Sequence, residues 1–323
     1  MNKRDTLRVL LALGTAPFTA HAQQAQKVYR IGVLSHFIPP EGFTMLPAAL
    51  RELGYEEGRN IQFDYQYAQG KEDRLAGLAS DLVAAKPDLI LAFTNPEILA
   101  AKRATSTIPI IMRYALTPVE SGLVASLARP GGNVTGTTLE DPEMAGKKLE
   151  ILRDVLPRLA RVTYLWQPEF PGMAAYGRAT GRAAEAMGIR LTLLPGRDLE
   201  EIEHAFTRIT KEHPDALMVA TTGAIFLHRA RVIEFASRQR LPALYTTDAP
   251  VPEGGLMSYS ADSRALIQRT AAIIDRILKG AKPADIPVEQ PTQYKLAINL
   301  KTAKALGLTI PQSVLLRATE VIQ

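Results

Sequence analysis

The chain has 323 residues, of which 46% are hydrophobic and 22% are charged, and its formal net charge is +5. This composition is that of a globular protein, and it excludes collagen, coiled coil and an intrinsically disordered chain. The absence of cysteine excludes disulfide frameworks, thiolate metal sites, cysteine nucleophiles and a lipid-anchored N-terminal cysteine. Basic residues are spread along the chain without a long basic run, so we expect no nucleic-acid partner.

The first 22 residues have the features of a secretory signal peptide. Three basic residues precede an apolar stretch, and Ala20 and Ala22 supply the small residues of a cleavage site. We therefore expect a Sec-type signal at 1–22, cleavage after Ala22 and a periplasmic mature protein. The apolar stretch is about half of the ~20 residues that cross a bilayer, and no later stretch is longer than that limit. We expect no direct membrane insertion.

Apolar runs alternate with amphipathic runs through the first half of the mature chain. The apolar or alternating runs predict strands, and apolar residues at helical spacing predict helices. The predicted strands are Tyr29–Ser35, Asn60–Ala68, Leu89–Phe93 and Ile108–Arg113, and the predicted helices are Met45–Leu53, Lys71–Ala85 and Pro96–Thr105. This alternation favours a parallel, doubly wound sheet.

The second half repeats this plan. Its predicted strands are Arg161–Trp166, Ile189–Leu194, Ala216–Thr222 and Pro242–Thr247, and its predicted helices are Met173–Met187, Leu199–His213 and Ile225–Gln239. The stretch Ala128–Pro142 between the two halves is rich in Gly, Pro and Thr, which favours a domain boundary there.

The C-terminal part is too short for a third domain. It contains a predicted strand at Gly255–Ser260, a helix at Arg264–Leu278, a second strand at Tyr294–Leu300 and a short helix at Lys301–Leu306. We expect this part to complete the two earlier units. The predicted fold is α/β, with two doubly wound parallel-sheet lobes joined by a hinge. The first lobe is predicted at 28–137, completed by about 252–284, and the second at 138–250, completed by about 285–323.

The sequence offers no catalytic or metal-binding pattern. Its five histidines include no pair at i, i+4 spacing, so a zinc site is not expected, and no Gly-x-Ser-x-Gly elbow is present. The segment Gly131–Gly136 lacks the glycine spacing of a dinucleotide loop and the Lys-Ser/Thr of a phosphate loop, which favours a turn or hinge. We expect no cofactor, no metal and no enzymatic activity.

Polar and aromatic residues follow many of the predicted strands. Ligands of open α/β sheets bind beyond the carboxyl ends of the strands, so these residues are candidates for a ligand site. Any single hydroxyl among them fits a structural role in a turn as well as it fits a role in ligand binding. The candidates are Ser35, His36 and Phe37, then Thr94 and Asn95, then the segment Tyr114–Thr117 with Leu116 and Thr117, then Thr137, Thr138, Trp166, Gln167, Thr221, Thr222 and Asp248.

Several segments of the chain together resemble one protein family. They are Leu53-Gly54-Tyr55 with Glu57-Gly58-Arg59-Asn60, Lys86-Pro87-Asp88, AKRATSTIPII at 101–111, SGLVASLARPGGNVT at 121–135, GGLMSY at 254–259, and the segment 286–307. In this order they resemble the ABC-transporter substrate-binding proteins of the tryptophan/tyrosine-uptake type, which have the type I periplasmic binding-protein fold. The resemblance covers nearly all of the mature chain.

The resemblance implies two hinged lobes, a small-molecule ligand in the cleft and delivery to an ABC permease and ATPase membrane complex. Carried over by position, the cleft segments are the loop after Ser35, the turns at Thr94-Asn95 and Leu116-Thr117-Pro118, Thr137-Thr138, the Trp166 loop, Thr222 and the loop at Asp248. The family usually has Gly-Asp-Pro where Leu116-Thr117-Pro118 stands. The acid lost there is a natural partner for an ammonium group.

Two functions remain open from the sequence. The resemblance favours a periplasmic solute receptor for uptake of an amino acid, an aromatic compound or a related small organic ligand. A periplasmic sensing module for a membrane-bound signalling protein would have the same lobes and the same secretion signal.

Overall fold

The computed structural model describes residues 27–36, 45–139 and 141–323. The predicted signal peptide at 1–22 and the candidate residue Phe37 lie outside the described residues.

The first sheet contains five parallel strands in the order β2-β1-β3-β4-β5. The strands are β1 (Tyr29–Ser35), β2 (Ile61–Tyr67), β3 (Leu89–Ala92), β4 (Ile110–Ala115) and β5 (Val134–Thr138). The helices that follow them are α1 (Met45–Glu52), α2 (Leu75–Ala84) and α3 (Asn95–Ala104). The central strand β3 is completely buried, as its continuous apolar sequence LILA requires in a sheet covered on both faces.

The second sheet contains seven strands in the order β12-β11-β10-β9-β8-β6-β7. The strands are β6 (Arg161–Trp166), β7 (Arg190–Pro195), β8 (Ala216–Val219), β9 (Ala243–Tyr245), β10 (Met257–Ala261), β11 (Tyr294–Asn299) and β12 (Glu320–Ile322). The helices around it are α4 (Met144–Val155), α5 (Met173–Ala186), α6 (Leu199–Glu212), α7 (Gly223–Leu227), α8 (Arg229–Arg238), α10 (Leu300–Ala305) and α11 (Gln312–Leu315). Neighbouring strands are parallel except for the antiparallel pair β10 and β11.

The two sheets share one winding order. The run β7-β6-β8-β9-β10 repeats the order β2-β1-β3-β4-β5. The strand order therefore reverses between β1 and β3 in the first lobe and between β6 and β8 in the second. Such switch points open a crevice at the carboxyl ends of the strands. The predicted α/β architecture with two similar lobes is confirmed.

The C-terminal part returns to the first lobe as one long helix, α9 (Ser263–Leu278). The carboxylate of Asp262 caps it by accepting from the N–H of Arg264 at 2.9 Å and of Ala265 at 3.3 Å. Its apolar stripe, which includes Ile267 and Ile274, packs into the core of the first sheet. This helix accounts for the predicted return of the chain.

The chain then runs beside β5 before it enters β11. The hydroxyl of Thr135 donates to the carbonyl of Ile286 at 2.7 Å, and the N–H of Thr138 donates to the carbonyl of Glu289 at 3.0 Å. The chain consequently crosses between the lobes after β5, after β10 and after residue 289.

The structure differs from the sequence predictions at several boundaries. Strand β10 (257–261) lies in the second sheet, although residues from about 252 onward were expected in the first lobe. The predicted boundary Ala128–Pro142 contains the buried strand β5, which was not predicted because Val134 is its single large apolar residue. The predicted helix 225–239 is interrupted at His228. Helix α4 and the short strand β12 were not predicted.

Candidate functional site

The carboxyl ends of the two sheets face each other. Tyr114 lies at the end of β4 in the first lobe, and Asp248 follows β9 in the second. Burial raises the pKa of the Tyr114 hydroxyl, and the negative charge of Asp248 raises it further. A hydrogen-bonding interaction with Ser263, where the chain re-enters the first lobe, acts in the opposite direction. These two strand ends, one from each lobe, therefore lie close to each other.

At the first-lobe switch point, a buried carboxylate accepts hydrogen bonds from two of the predicted site residues, His36 and Thr94. Glu97, in the first turn of α3, is 1% exposed. It accepts from the N–H of His36 at 2.9 Å, from the N–H of Thr94 at 3.2 Å and from the Thr94 hydroxyl. Burial raises the pKa of Glu97, while the hydrogen bond from Thr94 and the nearby His36 lower it. Ser35, at the end of β1, is buried beside this group.

Asn95 has a structural role in the first lobe. Its side chain is completely buried and donates to the carbonyl of Leu116 at 2.8 Å and to the hydroxyl of Ser121 at 2.9 Å. Its Oδ1 accepts from the N–H of Leu116 at 2.8 Å. The amide thus fixes the turn after β4 and uses both its donor and its acceptor groups to do so.

That turn is in direct contact with the second lobe. Leu116 is 2% exposed and belongs to the hydrophobic core around β6 and α5. A Cβ placed on Gly172, just before α5, would lie 2.6 Å from both the Cβ and the carbonyl oxygen of Leu116. Thr117 has a φ of +39°, which is rare for a β-branched residue, and its hydroxyl lies 3.4 Å from the Gly172 carbonyl. Leu116 and Thr117 therefore contact the opposing lobe itself.

The two threonines at the end of β5 differ in their surroundings. The hydroxyl of Thr137 donates to the carbonyl of Arg113 at 2.5 Å. Thr138 is 2% exposed, and its Oγ1 has no hydrogen-bond partner within the described ranges. Thr117 and Thr138 both line a groove of about 430 Å³ beside the hinge, which Arg178 of α5 borders from the second lobe.

Arg113 is a buried charged residue that the sequence predictions did not include among the candidates. Its guanidinium is completely buried near the end of β4, 5.2 Å from the ring centroid of Phe93 and 4.5 Å from that of Tyr114. Burial lowers the pKa of Arg113. An arginine in the otherwise apolar run Ile110–Ala115 was the available signal, because a charged side chain inside a buried strand is rare unless it is paired or functional.

Trp166 is positioned by packing. Its ring is stacked on Tyr164, with centroids 6.2 Å apart. A Cβ placed on Gly177 of α5 would lie 2.5 Å from Cζ3 of Trp166, so the indole rests directly on that helix. The side chain is half-buried against the second-lobe core. The structure thus places Trp166 at the edge of the cleft with most of its contacts inside its own lobe.

The polar groups behind Trp166 differ from those of the first lobe, because they have no hydrogen-bond partner among the described residues. Gln167 Oε1, Thr222 Oγ1 and Thr247 Oγ1 are buried atoms without a hydrogen-bond partner among the residues that the structure describes. The strand ends that carry them are adjacent, since the N–H of Thr221 donates to the hydroxyl of Thr246 at 2.9 Å. Oε1 of Gln167 also lies against Gly223, where a Cβ would be 2.0 Å from it. Thr247 was not among the sequence candidates.

Asp248 adds a negative charge to this group. Neighbouring carboxylates have ion-pair partners, with Glu253 2.7 Å from Arg229 and Asp262 3.3 Å from Lys295. In the part of the chain that the structure describes, Asp248 has no such pair. We call Gln167, Thr222, Thr247 and Asp248 the acceptor wall.

Among residues 27–36, 45–139 and 141–323, no group of three or more His, Asp or Glu side chains is arranged to hold a metal ion. Over the same ranges, no helix has the length and apolar character needed to cross a membrane.

Comparison with known proteins identifies the family. The model of the family described as "ABC transporter substrate binding protein" matches residues 41–322. A tyrosine-binding protein from Clostridioides difficile is 30% identical over 267 residues, which are 80% of this chain and 74% of the relative.

Two solved structures differ in how closely they superpose on this chain. The complex of an ABC domain from Streptococcus pneumoniae with L-Trp has a TM-score of 0.85 at 29% identity, and covers 92% of this chain and 100% of its own. The ligand-free, open structure of a substrate-binding protein with adhesive properties from Clostridium difficile covers the same shares at 26% identity, with a TM-score of 0.69. At nearly equal identity, this chain superposes more closely on the tryptophan complex. The fold is that of the type I periplasmic binding proteins, and with the family match spanning both lobes, the chain belongs to the ABC transporter substrate binding protein family.

Proposed function

We propose that this protein is the solute-binding component of an ABC uptake transporter and that its cleft holds an aromatic amino acid or a closely similar compound. The observation that carries the proposal is the acceptor wall. Gln167, Thr222 and Thr247 hold buried oxygens without a hydrogen-bond partner among the described residues, and the charge of Asp248 raises the pKa of Tyr114 in the opposing lobe. A buried polar atom without a partner costs free energy, and a bound ligand removes that cost. The tyrosine-binding relative and the tryptophan complex support the ligand class.

Binding would operate by closure of the lobes. A ligand that contacts both walls has a higher affinity for the closed state than for the open state, and it therefore shifts the population toward closure. Tyr114 would contact the ligand from the first lobe, and Thr222 and Asp248 from the second. In this structure Leu116 is in close contact with Gly172 of the opposing lobe. The protein would bind its ligand without transforming it and release it to the permease and ATPase complex.

The proposal places the protein in the periplasm. Its support is the N-terminal sequence, in which a basic start, an apolar stretch and the Ala20-His21-Ala22 segment form a secretion signal. Expression of the full chain with analysis of the periplasmic fraction tests this location. The mature N-terminus would be Gln23.

Calorimetry and small-angle scattering test the binding function. We expect L-tryptophan or L-tyrosine to bind to the purified mature protein and to reduce its radius of gyration. If neither amino acid binds and the radius stays unchanged, the proposed ligand class is wrong. Uptake of the labelled ligand by cells with and without the gene separates transport from sensing, because a sensing module would leave uptake unchanged.

A further inference from the structure

We infer that Leu116 sets how tightly the protein holds its ligand, and that it does so by joining the two lobes and not by touching the ligand. Its backbone is fixed to the first lobe, and its side chain is buried in the second. The inference rests on the proposed function and adds to it a residue that controls the affinity through closure of the lobes.

The side chain of Leu116 packs with the second lobe. It is 2% exposed and belongs to the hydrophobic cluster that includes Met173 and Tyr176 of α5. Its neighbour Ala115 belongs to a cluster of the first lobe. Among the described residues of strands β1–β5 and of the loops between them, Leu116 is the buried one that joins the second-lobe cluster. The lobes therefore share one core residue at this point.

The backbone of Leu116 is fixed to the first lobe. Its N–H donates to Oδ1 of Asn95, and its carbonyl accepts from Nδ2 of the same side chain, both at 2.8 Å. A movement of the first lobe away from the second must carry Leu116 with it and withdraw its side chain from the second-lobe cluster. Because burial of apolar surface is favourable, the contact stabilises the arrangement in which the lobes meet.

Gly172, the residue before α5, makes room for this contact. A Cβ there would lie 2.6 Å from both the Cβ and the carbonyl oxygen of Leu116, an approach that only glycine permits. The carbonyl of Gly172 also lies 3.4 Å from the Thr117 hydroxyl. Further along α5, Arg178 forms an ion pair with Glu120 of the first lobe at 3.2 Å. Both side chains of this pair are exposed, so the buried leucine contributes most of the attraction.

This contact does not coincide with a chain crossing. The chain crosses between the lobes after β5, after β10 and after residue 289, whereas the contact joins the loop after β4 to the start of α5. Noncovalent interactions alone hold it, and it separates when the lobes part. A ligand that contacts both lobes favours the same arrangement as Leu116 does. Loss of the leucine side chain then shifts the population toward the open state and lowers the apparent affinity.

The test compares two buried leucines of the loop between β4 and β5. Leu116→Ala removes the side chain that is buried in the second lobe, and the matched control Leu123→Ala removes one that is buried in the first-lobe core. Calorimetry with L-tryptophan and L-tyrosine gives the affinity, and small-angle scattering of the ligand-free protein gives the radius of gyration. We expect Leu116→Ala to weaken binding about 10- to 100-fold if the free protein is mostly open, or to enlarge the free protein if it is mostly closed. Leu123→Ala should change neither quantity.

The outcomes separate this inference from the proposed function. If an amino acid binds and Leu116→Ala has the affinity and the radius of Leu123→Ala, the inference is overturned and the proposed function stands. If neither amino acid binds to the wild-type protein, the proposed ligand class is wrong. The radius of the ligand-free variants then decides, because an enlarged Leu116→Ala protein supports the inference and an unchanged one overturns it.

A second set of variants leaves the core intact and decides if Leu116→Ala does not fold. Arg178→Glu places a carboxylate opposite Glu120, and we expect the repulsion across the lobes to weaken binding about 2- to 5-fold. The double variant Glu120→Arg/Arg178→Glu restores the ion pair in reverse and should restore the wild-type affinity. Thermal melting verifies the fold of each variant. Equal affinity of the wild-type protein, the single variant and the double variant overturns the inference.

Discussion

The carboxyl edges of the two sheets carry similar residue types and use them in opposite ways. In the first lobe, Thr94 and Asn95 are engaged internally, through Glu97 and through the turn at Leu116. In the second lobe, the oxygens of Gln167 and Thr222 stay buried without a partner in the described chain. Thr94 and Asn95 thus have hydrogen-bond partners inside their own lobe, whereas the buried oxygens of Gln167 and Thr222 have none among the described residues.

This difference shows that residue type at a strand end does not determine its role. A threonine hydroxyl or an amide can close a turn as well as bind a solute, and the choice depends on whether a neighbouring group completes its hydrogen bonds. Glu97 is such a neighbour in the first lobe, because it follows Thr94 by three positions and reaches back to it. The predictions below test the contrast between the two edges.

The largest effect is expected from removing the two amides. Asn95→Ala leaves the N–H and carbonyl of Leu116 without their buried partners, and we expect a loss of roughly 2–4 kcal/mol in the free energy of unfolding. Gln167→Ala removes an amide whose buried oxygen is unpaired, and its cost should stay below about 1 kcal/mol. Urea denaturation of both variants measures the difference. Equal losses would remove the contrast between the two edges.

The next largest effect on stability is expected where Trp166 of the second edge packs against Gly177 of α5. Gly177→Ala places a methyl group 2.5 Å from the indole, so the ring must shift, at a cost of about 1–3 kcal/mol. Because Trp166 is the single tryptophan of the chain, its fluorescence emission reports this shift directly. Gly181→Ala is the control in the same helix, because its new Cβ has no heavy atom within 4 Å. An unchanged emission spectrum in Gly177→Ala would show that the indole is not held by α5.

Much of the fold could be predicted from the sequence, because the strands are continuous apolar runs and the helices have apolar residues at helical spacing. The predicted strand Arg161–Trp166 and the observed β6 have the same bounds. Strand β5 was missed since VTGTT contains a single large apolar residue, although the fold buries all five positions. Segment 286–289, which is 151 residues away in sequence, pairs beside it and helps to bury it.

The candidate site was less predictable for a physical reason. Strand order indicated which residues lie at the edge of each sheet, but side-chain partners depend on distant segments. Asn95 is engaged by residues 116–121, and Leu116 by Gly172 of the other lobe. Arg113 was missed because it lies inside a strand rather than after it. The ligand roles of the remaining candidates stay predictions.

The pH dependence of stability should separate Glu97 from the acids of the second edge. Burial raises the pKa of Glu97 above its ordinary value of 4.5, so the folded protein holds this proton more tightly than the unfolded chain. Below that pH both states are protonated, so the contribution of Glu97 to stability is fully present and does not change with pH. As the pH rises from 4.5 through the raised pKa, the stability contributed by Glu97 falls. Relative to Glu97→Gln, the wild-type protein should therefore lose stability over this range in urea titrations. A constant difference between the two proteins would show that the folded and unfolded states bind this proton equally.

The smallest effect, and the closest comparison, comes from two threonines. Thr137→Val removes a buried hydroxyl that donates to the carbonyl of Arg113, and about 1–2 kcal/mol of stability should be lost with that hydrogen bond. Thr222→Val removes a hydroxyl without a partner in the described structure, and the new methyl group relieves its desolvation, so stability should change by less than about 0.5 kcal/mol. Ligand affinity should show the reverse order, because Thr222 belongs to the acceptor wall and Thr137 is engaged within the first lobe. If the Thr222→Val protein is markedly destabilised but binds its ligand normally, the Thr222 hydroxyl has a structural role. Thr222 then does not belong to the acceptor wall.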